Sequence, residues 1–127
     1  MDNSPNPSHL LRWFDPRNRQ VGTWAFILNR ITALGLTFYL FLHLIMLGQL
    51  AMGAEAYTNF IALAKTPVVK VGEMFVLSAA IIHGLNGIRI VLNSLGVGVR
   101  TQKATFLGFM VLALFGIAFF ALKMFGE

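Results

Sequence analysis

Two histidines lie deep inside long apolar runs. His43 falls within residues 37–47 and His83 within residues 74–85, and nearly all of their neighbours there are apolar. An imidazole is a common metal ligand and titrates near neutral pH. Ionisable side chains are costly at membrane depth, so those that occur there face a bundle interior and carry a function. One histidine on each of two segments indicates cofactor ligation.

The composition is that of a membrane protein. Of the 127 residues, 57% are hydrophobic and 12% are charged, and the mean hydropathy is +0.71. Soluble domains are about 45–50% apolar and about 25% charged. The absence of cysteine excludes disulfides, iron–sulfur ligation by this chain and c-type haem attachment. We therefore expect one all-α integral membrane domain.

Three apolar segments are long enough to cross a bilayer, and we predict transmembrane helices at about 21–53, 68–94 and 104–124. Residues 54–67 are predicted to form a mixed loop, in which Thr66-Pro67 marks the start of the next helix. Residues 1–20 are polar and contain prolines, with no apolar signal-peptide core. We expect them to form an uncut cytoplasmic arm ahead of a three-helix domain at 21–127.

The net charge of +5 concerns topology and does not indicate a nucleic-acid partner. The basic residues flank the apolar runs, as the positive-inside rule describes. This distribution predicts a cytoplasmic N-terminus and an outside C-terminus. The flanking residues are Arg12, Arg17, Arg19, Arg100 and Lys103 on the predicted inner side, and Lys65, Lys70 and Lys123 on the outer side.

The two histidines are predicted to lie at different depths. If Arg30 and Arg89 mark the same membrane face, His43 is roughly 20 Å deep and His83 roughly 9 Å deep, at 1.5 Å per residue. The difference is about 11 Å. Two axial imidazoles of one iron lie only roughly 4 Å apart, since each metal–nitrogen bond is near 2 Å. His43 and His83 therefore cannot share a metal, and each needs a second ligand from another chain.

Small residues surround His83 on its helix. Ala80, Gly84 and Gly87 are its neighbours on the helix surface, and they leave room for a flat porphyrin. The same residues also fit a small-xxx-small contact with another helix.

His43 shares one helix face with Asn29, Thr32, Leu36 and Tyr39. Its neighbours are bulkier than those of His83, so a hydrogen bond to an adjacent helix is the alternative to ligation.

Residues 83–89, His-Gly-Leu-Asn-Gly-Ile-Arg, resemble the His-x-x-x-Gly-Ile-Arg motif of the cytochrome b subunit of succinate dehydrogenase. That subunit is the larger of two membrane-anchor chains of succinate:quinone oxidoreductase. Residues 29–33, Asn-Arg-Ile-Thr-Ala, resemble the family's His-Arg-Ile-Ser/Thr-Gly signature. Residues 57–59 and 65–69 look most like the two-haem actinobacterial members. The resemblance covers about residues 22–125.

The resemblance implies that His83 is an axial ligand of the haem b nearer the cytoplasm. His43 would then ligate a second haem b nearer the outer face. Arg30 would lie near the quinone and the haem propionates, and Arg89 is a second candidate for a propionate. Each haem would be shared with a partner chain.

The implied assembly is respiratory complex II in a prokaryotic cytoplasmic membrane. A second membrane-anchor subunit would pair with this chain, and a flavoprotein with FAD and an iron–sulfur subunit would sit on the cytoplasmic face. Electrons from succinate would pass to quinone in the membrane lipid, with no succinate chemistry on this chain.

The sequence departs from the family pattern in places. Asn29 replaces the family's histidine and Phe26 its serine, which affects the quinone pocket more than the haem. Ile90 and Ser94 replace a histidine and an aspartate that many members carry after the second motif.

Two alternatives remain at this stage. The first is the same complex with a single haem, in which only His83 is a ligand and His43 is structural. The second is a haem-free membrane scaffold or small transporter subunit.

Overall fold

The computed structural model describes residues 20–126, and this part of the chain is helical with no β-strand. It contains α1 (Val21–Ala51), α2 (Ala54–Ala64), α3 (Pro67–Ser94) and α4 (Gln102–Phe125), with a 3₁₀ turn at Val99–Thr101 before α4. The all-α prediction is confirmed. The predicted arm at 1–20 lies outside the described residues except for Gln20.

Three helices have the length and hydropathy of membrane spans. They are α1 with 31 residues, α3 with 28, and the continuous stretch Val99–Phe125 with 27, against the roughly 20 residues that a bilayer requires. As predicted, α3 begins at Pro67, directly after its N-cap Thr66. Proline suits the first position because the amide hydrogen it lacks would have no partner inside the helix.

The connection between α1 and α3 differs from the predicted loop, because residues Ala54–Ala64 form the helix α2. Four alanines in eleven residues favour a helix despite the polar side chains around them. Gly53 separates α1 from α2 with φ at +107°, a backbone conformation that favours glycine. An 11-residue helix is about 16 Å long, so it lets the joined ends of α1 and α3 lie apart.

Each long helix runs antiparallel to the next one along the chain, and α3 packs against both α1 and α4. Asn86 of α3 reaches Ala25 of α1. On the other side of α3, the Arg89 guanidinium lies 5.5 Å from the centre of the Phe106 ring. At the opposite end of the bundle, Lys70 Nζ donates a hydrogen bond to the Met124 carbonyl.

The buried residues concentrate at one end of the bundle. We call it the basic end; it is formed by the start of α1, the end of α3 and the start of α4. Past Thr32, no side chain of α1 is buried. The apolar side chains beyond that point face outward, as lipid or partner helices require. The buried residues are Ala25, Ile27, Thr32, Asn86, Arg89, Phe106 and Ala113.

Candidate functional site

His83 is held against α1 through one ring nitrogen. Its Nδ1 lies 3.1 Å from Thr32 Oγ1 and 3.2 Å from the backbone oxygen of Asn29. The imidazole is half-buried, at the edge of the interface between α1 and α3. Two contacts from one neighbouring helix fix the position of the ring.

These contacts assign the tautomer of His83. Thr32 has a single hydroxyl proton, and its oxygen lies 2.7 Å from the Leu28 carbonyl and 3.1 Å from that of Asn29. Because that proton points to a carbonyl, the hydroxyl oxygen accepts from His83. The Asn29 carbonyl is also only an acceptor. Nδ1 therefore carries the hydrogen, and Nε2 keeps a lone pair for a metal.

The side of α3 next to His83 is open. Ala80, Gly84 and Gly87 lie about 40–100° around the helix from His83, at 100° per residue. Ala80 and Gly84 are exposed, and a Cβ added at Gly84 or Gly87 would meet nothing within 4 Å. Asn86 and Arg89, which are packed, lie on the other side of the imidazole. This small-residue strip (Ala80, Gly84 and Gly87) is therefore free for a flat group beside the ring.

His43 has a different environment. Its side chain is exposed, and its Nδ1 lies 3.2 Å from the Tyr39 hydroxyl. The two rings are 5.4 Å apart between centroids, with 31° between their planes. A tyrosine hydroxyl both donates and accepts, so this contact is compatible with either tautomer. On α1, His43 lies on the face that also carries Thr32 and Ala25, but beyond the part that α3 covers.

The separation of the two histidines is larger than the sequence estimate. His83 lies level with Asn29 and Thr32, and His43 is eleven residues beyond Thr32, or about 16 Å along α1. The estimate of about 11 Å was too small because Arg30 and Arg89 are not at the same level. Asn86 pairs with Ala25, so the end of α3 that carries Arg89 extends beyond Arg30 toward the start of α1.

Arg30 directly follows Asn29 in α1 and is exposed. Its guanidinium carbon sits 4.9 Å from the centre of the Phe26 ring. Such a cation–π contact covers one face of the guanidinium and leaves the N–H edge available for an anion or a carbonyl. Next to it, the Asn29 Oδ1 atom is buried and has no hydrogen-bond partner among the described residues.

Arg89 is buried at the basic end. Its Nε donates a hydrogen bond of 2.9 Å to Asn86 Oδ1, and the Asn86 amide donates to the Ala25 carbonyl at 3.2 Å. Asn86 is fully buried. Arg89 also lines a cavity of about 510 Å³ together with Lys103 and Phe106. Asn86 therefore joins α3 to α1, and Arg89 joins α3 to α4 through Phe106.

In residues 20–126, no group of three His, Asp or Glu side chains comes together. A metal bound by this part of the chain would therefore need further donors from elsewhere.

Comparison with known families gives a match over nearly the whole chain. Residues 2–122 match the model of the succinate dehydrogenase/fumarate reductase transmembrane subunit. The chain belongs to this family. Membership and the three long apolar helices make it a multi-pass protein of a prokaryotic cytoplasmic membrane.

Two curated relatives are similar to this family member. The succinate dehydrogenase hydrophobic membrane anchor subunit of Halobacterium salinarum is 35% identical over 92 residues, covering 72% of this chain and 71% of the relative. The succinate dehydrogenase 2 membrane subunit SdhC of Mycobacterium tuberculosis is 34% identical over 71 residues. That alignment covers 56% of this chain and 52% of the relative.

Sequence reasoning predicted His83 as a haem ligand and Arg30 near the haem propionates in this family member. The structure places His83 at the contact between α1 and α3, whereas Arg30 is exposed and lies about 160° around α1 from Thr32, at 100° per residue. Sequence reasoning gave no role to Asn86, although the residue lies inside the second motif. The sequence did carry a sign of its importance, because Asn86 is a polar side chain within an apolar segment. The contact between Phe26 and Arg30 was also missed, although a spacing of four residues puts them on one helix face.

Proposed function

We propose that this chain is a membrane anchor of a succinate dehydrogenase complex and ligates haem b through His83 Nε2. The family match supports the anchor role. The observation that carries the haem assignment is the pair of acceptors on His83 Nδ1, which leaves Nε2 with its lone pair. A metal-bound histidine commonly donates its other ring N–H in this way.

The residues around His83 fit a haem. The imidazole stands beside the small-residue strip, where Gly84 and Gly87 leave open space, and a porphyrin needs such close approach to the backbone. Haem b bound there supplies a one-electron centre whose potential depends on burial and hydrogen bonding. A further ligand to the iron would come from a second membrane-anchor subunit.

Arg30 is our candidate on α1 for binding an anion or a quinone. It is exposed, one face of its guanidinium rests on Phe26, and a guanidinium edge matches a carboxylate with two parallel hydrogen bonds. We assign it to a haem propionate or a quinone carbonyl. Arg89 already donates a hydrogen bond from Nε to Asn86, and its remaining N–H groups are a second candidate for binding a propionate.

We assign a second haem b to His43. The residue is exposed on the part of α1 that α3 leaves uncovered, and it lies about 16 Å along α1 from the level of His83. That distance requires a separate iron and a separate partner ligand. In the one-haem alternative, the contact with Tyr39 is the whole role of His43.

The remaining assembly follows from the complex to which such anchors belong. A flavoprotein with FAD and an iron–sulfur subunit would pass electrons from succinate toward quinone on the cytoplasmic side. A transporter subunit needs a different arrangement, with an acidic side chain in mid-membrane. On this chain, Glu73 lies in the second turn of α3, near a membrane edge.

The test is a reduced-minus-oxidised spectrum of the purified complex with haem counted per complex. We expect two haem b groups in the wild type and one in His43→Ala. An unchanged count in His43→Ala would refute the second haem. A wild-type complex without haem would refute ligation altogether and leave a haem-free anchor.

A further inference from the structure

We propose that Thr32 is a positioning residue for His83, setting the orientation of its imidazole and the electron density at Nε2. This inference rests on the proposed ligation of haem by His83. Thr32 does not reach the iron itself, and it acts through the Nδ1–H of the histidine.

The hydroxyl of Thr32 is oriented by its own helix. It is only 7% exposed, and its 2.7 Å bond to the Leu28 carbonyl uses its proton. The lone pairs that remain face α3, where His83 Nδ1 lies 3.1 Å away. A side chain tied to its own helix in this way is a rigid acceptor, because it cannot rotate away without losing a hydrogen bond in an apolar surrounding.

A second acceptor narrows the geometry further. The Asn29 carbonyl lies 3.2 Å from the same Nδ1, one helical turn before Thr32. Two acceptors, one from a side chain and one from the backbone, hold the ring plane against α1. Because Nδ1 faces α1, Nε2 lies on the edge of the ring that points away from α1.

The hydrogen bond from Nδ1 also affects a metal on Nε2. An accepted Nδ1–H gives the imidazole partial anionic character and makes it a stronger donor. A stronger donor favours ferric over ferrous iron. Loss of the Thr32 oxygen should therefore shift the midpoint potential of this haem to more positive values, while Asn29 still holds part of the hydrogen bond.

Thr37 provides a matched control on the same helix. Its hydroxyl bonds to the Ala33 carbonyl at 2.8 Å, the same pattern as in Thr32, but its side chain is exposed and contacts no histidine. Thr32→Val and Thr37→Val each remove one hydroxyl with little change in shape. Only the first removes an acceptor from His83.

The experiment is a redox titration of the haems in the purified complex, with electron paramagnetic resonance of the ferric state. The haem that depends on His83 is identified as the signal missing from His83→Ala. We expect Thr32→Val to raise the potential of that haem and shift its resonance. Thr32→Ser should restore both values, and Thr37→Val should match the wild type.

The outcomes separate this inference from the proposed function. A Thr32→Val complex with wild-type potential and resonance at that haem overturns the role of Thr32 and leaves ligation by His83 intact. If Thr32→Val loses the haem, the Thr32→Ser complex decides the question. A wild-type potential and resonance in Thr32→Ser support the inference, and loss of the haem in Thr32→Ser overturns it. A wild-type complex without haem overturns both.

Discussion

Replacing Asn86 tests how the helices are held together at the basic end. Asn86→Leu removes the amide that donates to the Ala25 carbonyl and the oxygen that accepts from Arg89 Nε. Interhelical hydrogen bonds in membranes average about 0.6 kcal/mol. Leaving a buried donor such as this Nε unpaired costs about 1–3 kcal/mol more. We therefore expect Asn86→Leu to destabilise the subunit by about 2–4 kcal/mol.

The double variant separates the pair from the rest of the packing. Arg89→Leu alone leaves the Asn86 oxygen without its donor, whereas Asn86→Leu/Arg89→Leu leaves neither group unpaired. Replacing both partners by apolar groups is often nearly neutral. The double variant should therefore cost less than the sum of the single ones, with a coupling of about 1–3 kcal/mol.

The assay is a titration of the purified complex with a denaturing detergent, scored by the fraction of this subunit that remains assembled. Asn93→Leu is the control, because Asn93 Oδ1 is buried without a hydrogen-bond partner among residues 20–126. Its replacement should be neutral or stabilising. Strict additivity of Asn86→Leu and Arg89→Leu would refute the view that the two side chains act as a unit.

Two further predictions concern the surroundings of the site. Phe26→Leu removes the ring beneath Arg30, a cation–π contact of about 0.5–1 kcal/mol at an exposed position. The KM for quinone should therefore rise about two- to fivefold with little change in kcat. Phe26→Tyr should behave as the wild type, and equal KM values in the wild type and both variants would contradict the role of the ring. Gly84→Val places a branched side chain on the small-residue strip, where an added Cβ meets nothing within 4 Å among the described residues, so haem content should fall while the subunit stays assembled. Gly116→Val, which would contact Ile81, should affect packing instead, and full haem content in Gly84→Val would show that the strip does not face a cofactor.

The sequence predicted the spans well because membrane length and hydropathy are local properties. The observed α1 and α3 end or begin within two residues of the predicted bounds, and α4 begins two residues before the predicted position. The helix α2 was missed because the polar residues Glu55 and Asn59 outweighed the alanines in the prediction. Helix propensity was the better guide there.

The level of each side chain relative to the other helices was not accessible from sequence. Arginines were used as depth markers, but their long side chains reach a membrane edge from several positions. The contact of His83 with Thr32 and Asn29 depends on how two helices slide against each other. That offset is set by packing around buried residues such as Asn86, which periodicity alone does not reveal.

The most direct test of ligation by His83 is the haem content of a His83→Ala complex, measured beside the wild type with all subunits present. The alanine removes the ring whose Nδ1 lies against Thr32 and Asn29 of α1, while Asn86 still joins α3 to α1 and Arg89 still contacts α4. We predict an assembled complex that lacks one low-spin haem b signal. A complex that keeps the wild-type haem count and resonance spectrum would contradict the assignment.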